Sequence, residues 1–257
     1  MDGWPEIRAR SFEGTADQPR TIANLLSRKE QEQIRRISSV LDCSRGDIVF
    51  AEGDEARFVH FVDGGVIRIS RCADNGQRQI LAFRVPGDLF GLPDAGRYVN
   101  SAEAVCAARI YRLAWHRMQQ MMREDPQLQL NLLMKVVYDF RQAQARIMTL
   151  GQQNTCQRLA SFLLDFARVP EFFDEKRALL NLPVNRFDLA DYLGTAPESA
   201  ARAFARLESQ GLIRRITSRT IEILDIAGLQ LLQRGPRRGH SGGIAEEKRS
   251  PLQEQFG

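Results

Sequence analysis

Glu198, Arg202 and Arg206 recur every fourth residue along PESAARAFARLES, a spacing that puts them on one face of a helix. Ala200, Ala203, Phe204 and Leu207 form an apolar stripe on a different face. A polar row of this kind can read a surface of hydrogen-bonding groups. By geometry, a guanidinium at Arg202 donates two hydrogen bonds to guanine O6 and N7, and a carboxylate at Glu198 accepts from cytosine N4. Ala201 has only a methyl to offer, which can pack on a thymine methyl. Blander roles stay open at this point: Glu198 as the partner of Thr195 in a Thr-x-x-Glu capping box, and Arg202 as a solvated charge.

Other chemistry is sparse. His60, His116 and His240 are scattered, and no Ser-His-Asp, paired-carboxylate or phosphate-loop pattern accompanies them. Cys43, Cys72, Cys106 and Cys156 form no Cys-x-x-Cys pair, so no metal or cluster site is written locally and reduced structural thiols are expected. Cys156 is the candidate redox switch, although nothing near it in sequence lowers a thiol pKa.

The polar row needs elements to hold it. Asn185 can cap a first helix carrying Leu189, Ala190 and Leu193, and Gly194 can end it. Thr195, Pro197 and Glu198 then open a second helix, which Gly211 closes. LIRRITSRTIEIL alternates as a hairpin turning near Thr217 to Thr220, so the unit reads as a winged helix-turn-helix. Upstream, CQRLASFLLDFARV predicts an amphipathic helix and ALLNLPV a short strand, with PEFFDEKR as a polar break between them.

From Leu41 to Leu113, short alternating runs broken by glycines predict a compact antiparallel barrel or sandwich, with Asn75-Gly76 as its clearest hairpin. A helix over AWHRMQQMMREDP precedes a longer one, capped by Asp125, with Pro126 at its first position. Along it Leu133, Val136, Phe140, Ala143, Ile147 and Leu150 are spaced as a heptad seam, flanked by polar residues that include Lys135, Asp139 and Arg146. A parallel coiled-coil dimer interface follows from that stripe; packing on the chain's own barrel is the alternative.

The bulk numbers fit this plan. The 257 residues have 43% hydrophobic and 26% charged content, ordinary for a soluble protein, with a net charge of +4 that suits a polyanion only if concentrated on one face. Neither a membrane-spanning run nor a secretory signal is present, so a cytoplasmic protein without a membrane partner is expected. The domain plan is an α+β chain: a disordered N-terminus at 1–22, a β-roll at 23–124 with a capped helix starting at Ser27, a dimerisation helix at 125–151, a winged helix at 152–234 and a disordered tail at 235–257.

In that order, the chain resembles the superfamily of the cyclic-AMP receptor protein and the fumarate-nitrate regulator, over roughly residues 25 to 232. The phrases that carry the resemblance are DLADYLGTAPESAARAFARLESQGLI, DIVFAEGD, VDGGVIRIS and VPGDLFG. It implies a homodimer acting on double-stranded DNA at an inverted repeat with TTGA-type half-sites, and RNA polymerase as a further partner. Glu198 and Arg202 would read the G·C pair, with Ala201 standing where the fumarate-nitrate branch has serine. Ser199, Arg206, Arg214, Arg215 and Arg219 would lie against the backbone, where contacts give affinity without sequence information.

The resemblance also bears on cofactors, and none is expected. FGLPDAGRYVNSAEA lacks the glutamate and arginine of the cyclic-nucleotide cassette, and Arg97 is displaced from the arginine's place. No cysteine precedes Cys43, unlike the iron-sulfur branch, and packing or surface roles suit the histidines better than heme ligation. What remains is similar to FixK-type regulators, which carry this fold without an evident cofactor site, and that resemblance implies an activator in oxygen-limited or nitrogen-oxide-related control. The rival readings are a ligand-binding signalling module that makes no DNA contact and, last, an enzyme.

Overall fold

The computed structural model describes residues 28–73 and 75–234. The stretches expected to be disordered, 1–22 and 235–257, lie outside them, as do Ser27 and His240.

Helix α1 (Arg28–Ile37) leads into strands β1 (Ser39–Cys43), β2 (Ile48–Phe50), β3 (Phe58–Gly64), β4 (Ile67–Cys72), β5 (Arg78–Arg84), β6 (Leu89–Phe90), β7 (Ser101–Ala104) and β8 (Ala108–Ala114). They form two antiparallel four-stranded sheets, ordered β1-β8-β3-β6 and β2-β7-β4-β5. Strand β3 shows how the alternation works. Val62 points into the space between the sheets, whereas Val59 and Phe61 point outward beneath α1, α2 (Trp115–Glu124) and α3 (Pro126–Gln152). The strand is therefore buried on both faces, and its sequence FVHFV is apolar nearly throughout.

At the β3–β4 turn Gly65 has φ +80°, and a Cβ there would lie 2.4 Å from the Ala107 carbonyl oxygen. Only glycine lets this turn nest against the β7–β8 connection.

Helix α3 has two working faces. Leu128, Leu132 and Lys135 are buried against the β-roll, while Leu133, Val136, Phe140 and Ile147 are exposed, Phe140 at 62% and Ile147 at 70%. The stripe expected as a seam is thus open from Leu133 to Ile147, while Leu150 at its end is half-buried beside Gly194, and a different face grips the chain's own barrel. Lys135, expected among the polar flank, is 1% exposed. Its Nζ donates to Asp139 at 2.5 Å, and Arg84 of β5 donates to the same carboxylate at 3.2 and 3.3 Å. An i,i+4 carboxylate partner is what allows the lysine to be buried.

Helix α4 (Thr155–Ala167) begins at Asn154 in a capping box with Gln157. Two elements go beyond the sequence reading. The supposed polar break contains β9 (Phe173–Asp174), paired with β10 (Leu179–Asn181), and α7 (Ile226–Arg234) follows the hairpin of β11 (Ile213–Arg215) and β12 (Thr220–Ile223). The third core joins α4, α5 (Arg186–Leu193), α6 (Pro197–Ser209) and this sheet through Phe162, Leu180, Leu189, Leu193, Leu207 and Ile221. Val66 and Val105 of the β-roll belong to the same cluster, so the two lobes share apolar packing.

Candidate nucleic-acid interface

The two helices of the expected unit form through identifiable caps. The Asn185 side chain accepts from the Phe187 and Asp188 amides, and Gly194 ends α5 in the left-handed region at φ 62°. The start of α6 differs from the expected capping box. Its N-cap is Ala196, with no side-chain hydrogen bond, so Thr195 stands one position too early to cap it. Pro197 is the cause: the residue before a proline is driven out of the helical region, and Ala196 accordingly sits at φ −70°, ψ 148°. Glu198 is therefore not the partner of a threonine cap, and its side chain is exposed.

Ala200, Ala203 and Leu207 anchor α6 in the core. Glu198, Ala201, Arg202 and Arg206 remain exposed on the outer side, with Ser199 half-buried beside them. Arg202 donates to Ser199 Oγ at 2.7 Å, which pre-orients the guanidinium along the helix. Two of the later arginines have their guanidinium groups engaged by carboxylates. Arg214 is paired with Glu222 across the hairpin, and Arg215 donates to Glu208 at 2.9 and 2.6 Å. That pairing holds the Glu208 carboxyl below its ordinary pKa, chiefly through the Arg215 hydrogen bond. Arg219 is exposed at the hairpin turn, where Thr217 Oγ1 accepts from its amide.

Of these, Glu198, Ala201, Arg215 and Arg219 border a groove of about 710 Å³ floored by apolar residues such as Leu189 and Phe204. Two arginines that the sequence reading passed over also line it: Arg186 at the start of α5, and Arg45 from the β1–β2 turn of the other lobe. Arg186 follows a capping asparagine, a position that favours anion contacts in a helix-turn-helix, so a signal existed. For Arg45 none did, since only the folded arrangement carries that turn to the groove.

Residues 157–232 match the Crp-like helix-turn-helix domain, and residues 40–125 the cyclic nucleotide-binding domain. Over 190 residues the chain is 34% identical to the nitrogen fixation regulation protein FixK of Azorhizobium caulinodans, covering 74% of this chain and 77% of that one. The chain belongs to the Crp/Fnr family. A second FixK, from Bradyrhizobium diazoefficiens, is 29% identical over 211 residues, which is 82% of this chain and 89% of its own. The solved structure of FixK2 from Bradyrhizobium japonicum superposes with a TM-score of 0.71 at 26% identity, covering 76% of this chain and 96% of that one.

The β-roll of this Crp/Fnr-family chain holds a cavity of about 170 Å³, bordered by Phe50, Arg84, Tyr98, Asn100 and Asp139. Ligand pockets run from about 300 Å³ upward. Arg84 is already engaged by Asp139, whose carboxylate would repel a phosphate. Arg97 is exposed on its loop and donates to the Gly53 carbonyl at 2.6 Å.

Of the histidines, His60 is buried among the rings of Phe50, Phe90 and Tyr98, with Nδ1 unpartnered. Burial, helped by the nearby Arg112, lowers its pKa to about 3. His116 is exposed on α2. Cys156 is half-buried in the first turn of α4. Among the described residues no cluster of His, Cys, Asp or Glu is arranged to hold a metal, and no helix is long and apolar enough to cross a membrane.

Proposed function

We propose that this chain is a homodimeric transcription activator that reads an inverted-repeat operator with TTGA-like half-sites through α6. The observation that carries the reading is the division of α6 into a core face and an open face, with Glu198, Ala201 and Arg202 side by side on the open one. In the groove, Arg202 donates to guanine O6 and N7, Glu198 accepts from cytosine N4, and the Ala201 methyl meets a thymine methyl. Ser199, Arg206, Arg214, Arg215 and Arg219 contact phosphates, and Arg45 and Arg186 extend that basic border.

Dimerisation runs through the open face of α3, which would set two copies of α6 about one DNA turn, roughly 34 Å, apart. RNA polymerase is the partner that activation requires. Control in oxygen-limited or nitrogen-oxide-related metabolism is supported by similarity to regulators of nitrogen fixation. The small, internally neutralised β-roll cavity favours DNA binding without a cyclic nucleotide over a ligand-sensing module.

Selection of bound DNA from a random pool tests the proposal. An inverted repeat with a G·C pair at a fixed position in each half is expected. A pool that stays random, or that yields only unpaired half-sites, refutes the proposal.

A further inference from the structure

The hairpin β4–β5 reaches out of the β-roll and grips α5, the helix before the reading helix. Arg68 Nη1 donates to both Asp188 carboxylate oxygens at 2.7 Å, and its Nη2 is paired with Glu103. Arg78 Nη2 donates to Asp188 and Asp191 at 2.7 Å each, and its Nε to Asp191 at 3.0 Å. Gln79 adds a bond of 2.6 Å to the Asp191 carbonyl. The Asp188 side chain is only 2% exposed, so removing either arginine would take a partner from a buried carboxylate. Beside them the Phe83 ring lies 5.1 Å from that of Tyr192.

Apolar contact alone lets surfaces slide; forked arginine–carboxylate pairs fix position and angle. Helices α5 and α6 share a core and a short turn, so whatever fixes α5 fixes α6 as well. At its other end the hairpin is tied to α3, where Arg84 meets Asp139.

We propose that Arg68 and Arg78 are positioning residues that set the separation of the two reading helices in the dimer, and so select the spacing between half-sites. This rests on the operator reading above. The residues touch no base in this role. They transmit the placement of the α3 seam, through β5, to α5.

The test uses the full-length protein and fluorescence anisotropy on the selected operator, on versions with the spacer changed by one or two base pairs, and on a single half-site. Wild type is expected to lose at least tenfold on altered spacers. Arg78→Gln is expected to lose at least tenfold on the optimal operator, stay within twofold on the half-site, and show a spacer penalty below threefold. Asp191→Asn, at a half-exposed carboxylate, removes the same contact from the other side and is expected to reproduce the flattened profile.

An unchanged spacer profile in both variants overturns the inference, as does an equal loss on half-site and operator. If wild type itself shows no preference for the paired operator over a half-site, the operator reading fails first and takes the inference with it. That outcome is seen before any variant is measured.

Discussion

Phe140→Ala is expected to weaken self-association strongly while leaving the protomer folded. Phe140 is 62% exposed on α3, in line with Leu133 at 58% and Ile147 at 70%. Burying a phenylalanine side chain completely contributes about 1.5–3 kcal/mol. With most of the side chain still available for burial, a partner would gain roughly 1–2 kcal/mol from it. A two-fold interface buries two copies, so the loss is about 2–4 kcal/mol, or on the order of 30- to 700-fold in the dissociation constant. Sedimentation equilibrium across micromolar concentrations measures this, and circular dichroism checks that the helix persists. Operator affinity should fall with dimer affinity. If Phe140→Ala and Ile147→Ala both leave the monomer–dimer equilibrium unchanged, this face of α3 is not the interface.

Arg202→Ala should cost about 1–3 kcal/mol on the cognate operator and flatten discrimination at one base pair, whereas Arg206→Ala should weaken all sequences alike; binding to cognate and scrambled duplexes separates the two. His60 should make the fold acid-sensitive. Its folded pKa of about 3 lies below the unfolded value, so the stability it contributes is complete above about pH 6.5 and falls as pH drops toward 3. Between pH 6.5 and 5 the loss is roughly 2 kcal/mol, and denaturant melts of His60→Phe should lack that slope. Gly65→Ala should destabilise by about 3 kcal/mol or more, since φ +80° and the Ala107 carbonyl both oppose a Cβ; a lowered urea midpoint would register it. Ala196→Ser should stabilise by about 0.5–2 kcal/mol in thermal melts by supplying the side-chain cap that α6 lacks.

Much of the plan was legible because local rules and tertiary packing agreed. Asn185, Gly194 and Asp125 cap where their types and spacing indicate, and the glycine-punctuated runs from Leu41 to Leu113 do build the β-roll. The start of α6 was misread because the proline rule and the capping-box pattern compete over one residue, and the proline's steric effect prevails. Lys135 was misread because a seam pattern describes one face of a helix and says nothing of the opposite one, where a carboxylate four residues away makes burial tolerable. The β9 strand was missed because its two residues are too short to show a period. No sequence rule could place Arg45 beside α6, or Arg68 and Arg78 upon Asp188: those pairs are more than a hundred residues apart and meet only when the two lobes share Val66 and Val105 in one core.

Helix α3 imposes a rule on how the chain can change length. Its residues serve the β-roll at Lys135, the open face at Phe140 and, at Arg146, the ring of Tyr192, which lies 3.8 Å beneath the guanidinium. Inserting one residue between Asp139 and Arg146 would turn everything downstream by ~100°. Ile147 would leave the open face, Arg146 would lose its ring, and the winged helix would swing around the axis. Surface loops can gain or lose residues freely, but this helix can be edited only in blocks of about seven or eleven, which restore the facing of every later residue. Related chains should therefore vary freely in their loops, while the count of residues between Lys135 and Arg146 should stay constant or change only by such blocks.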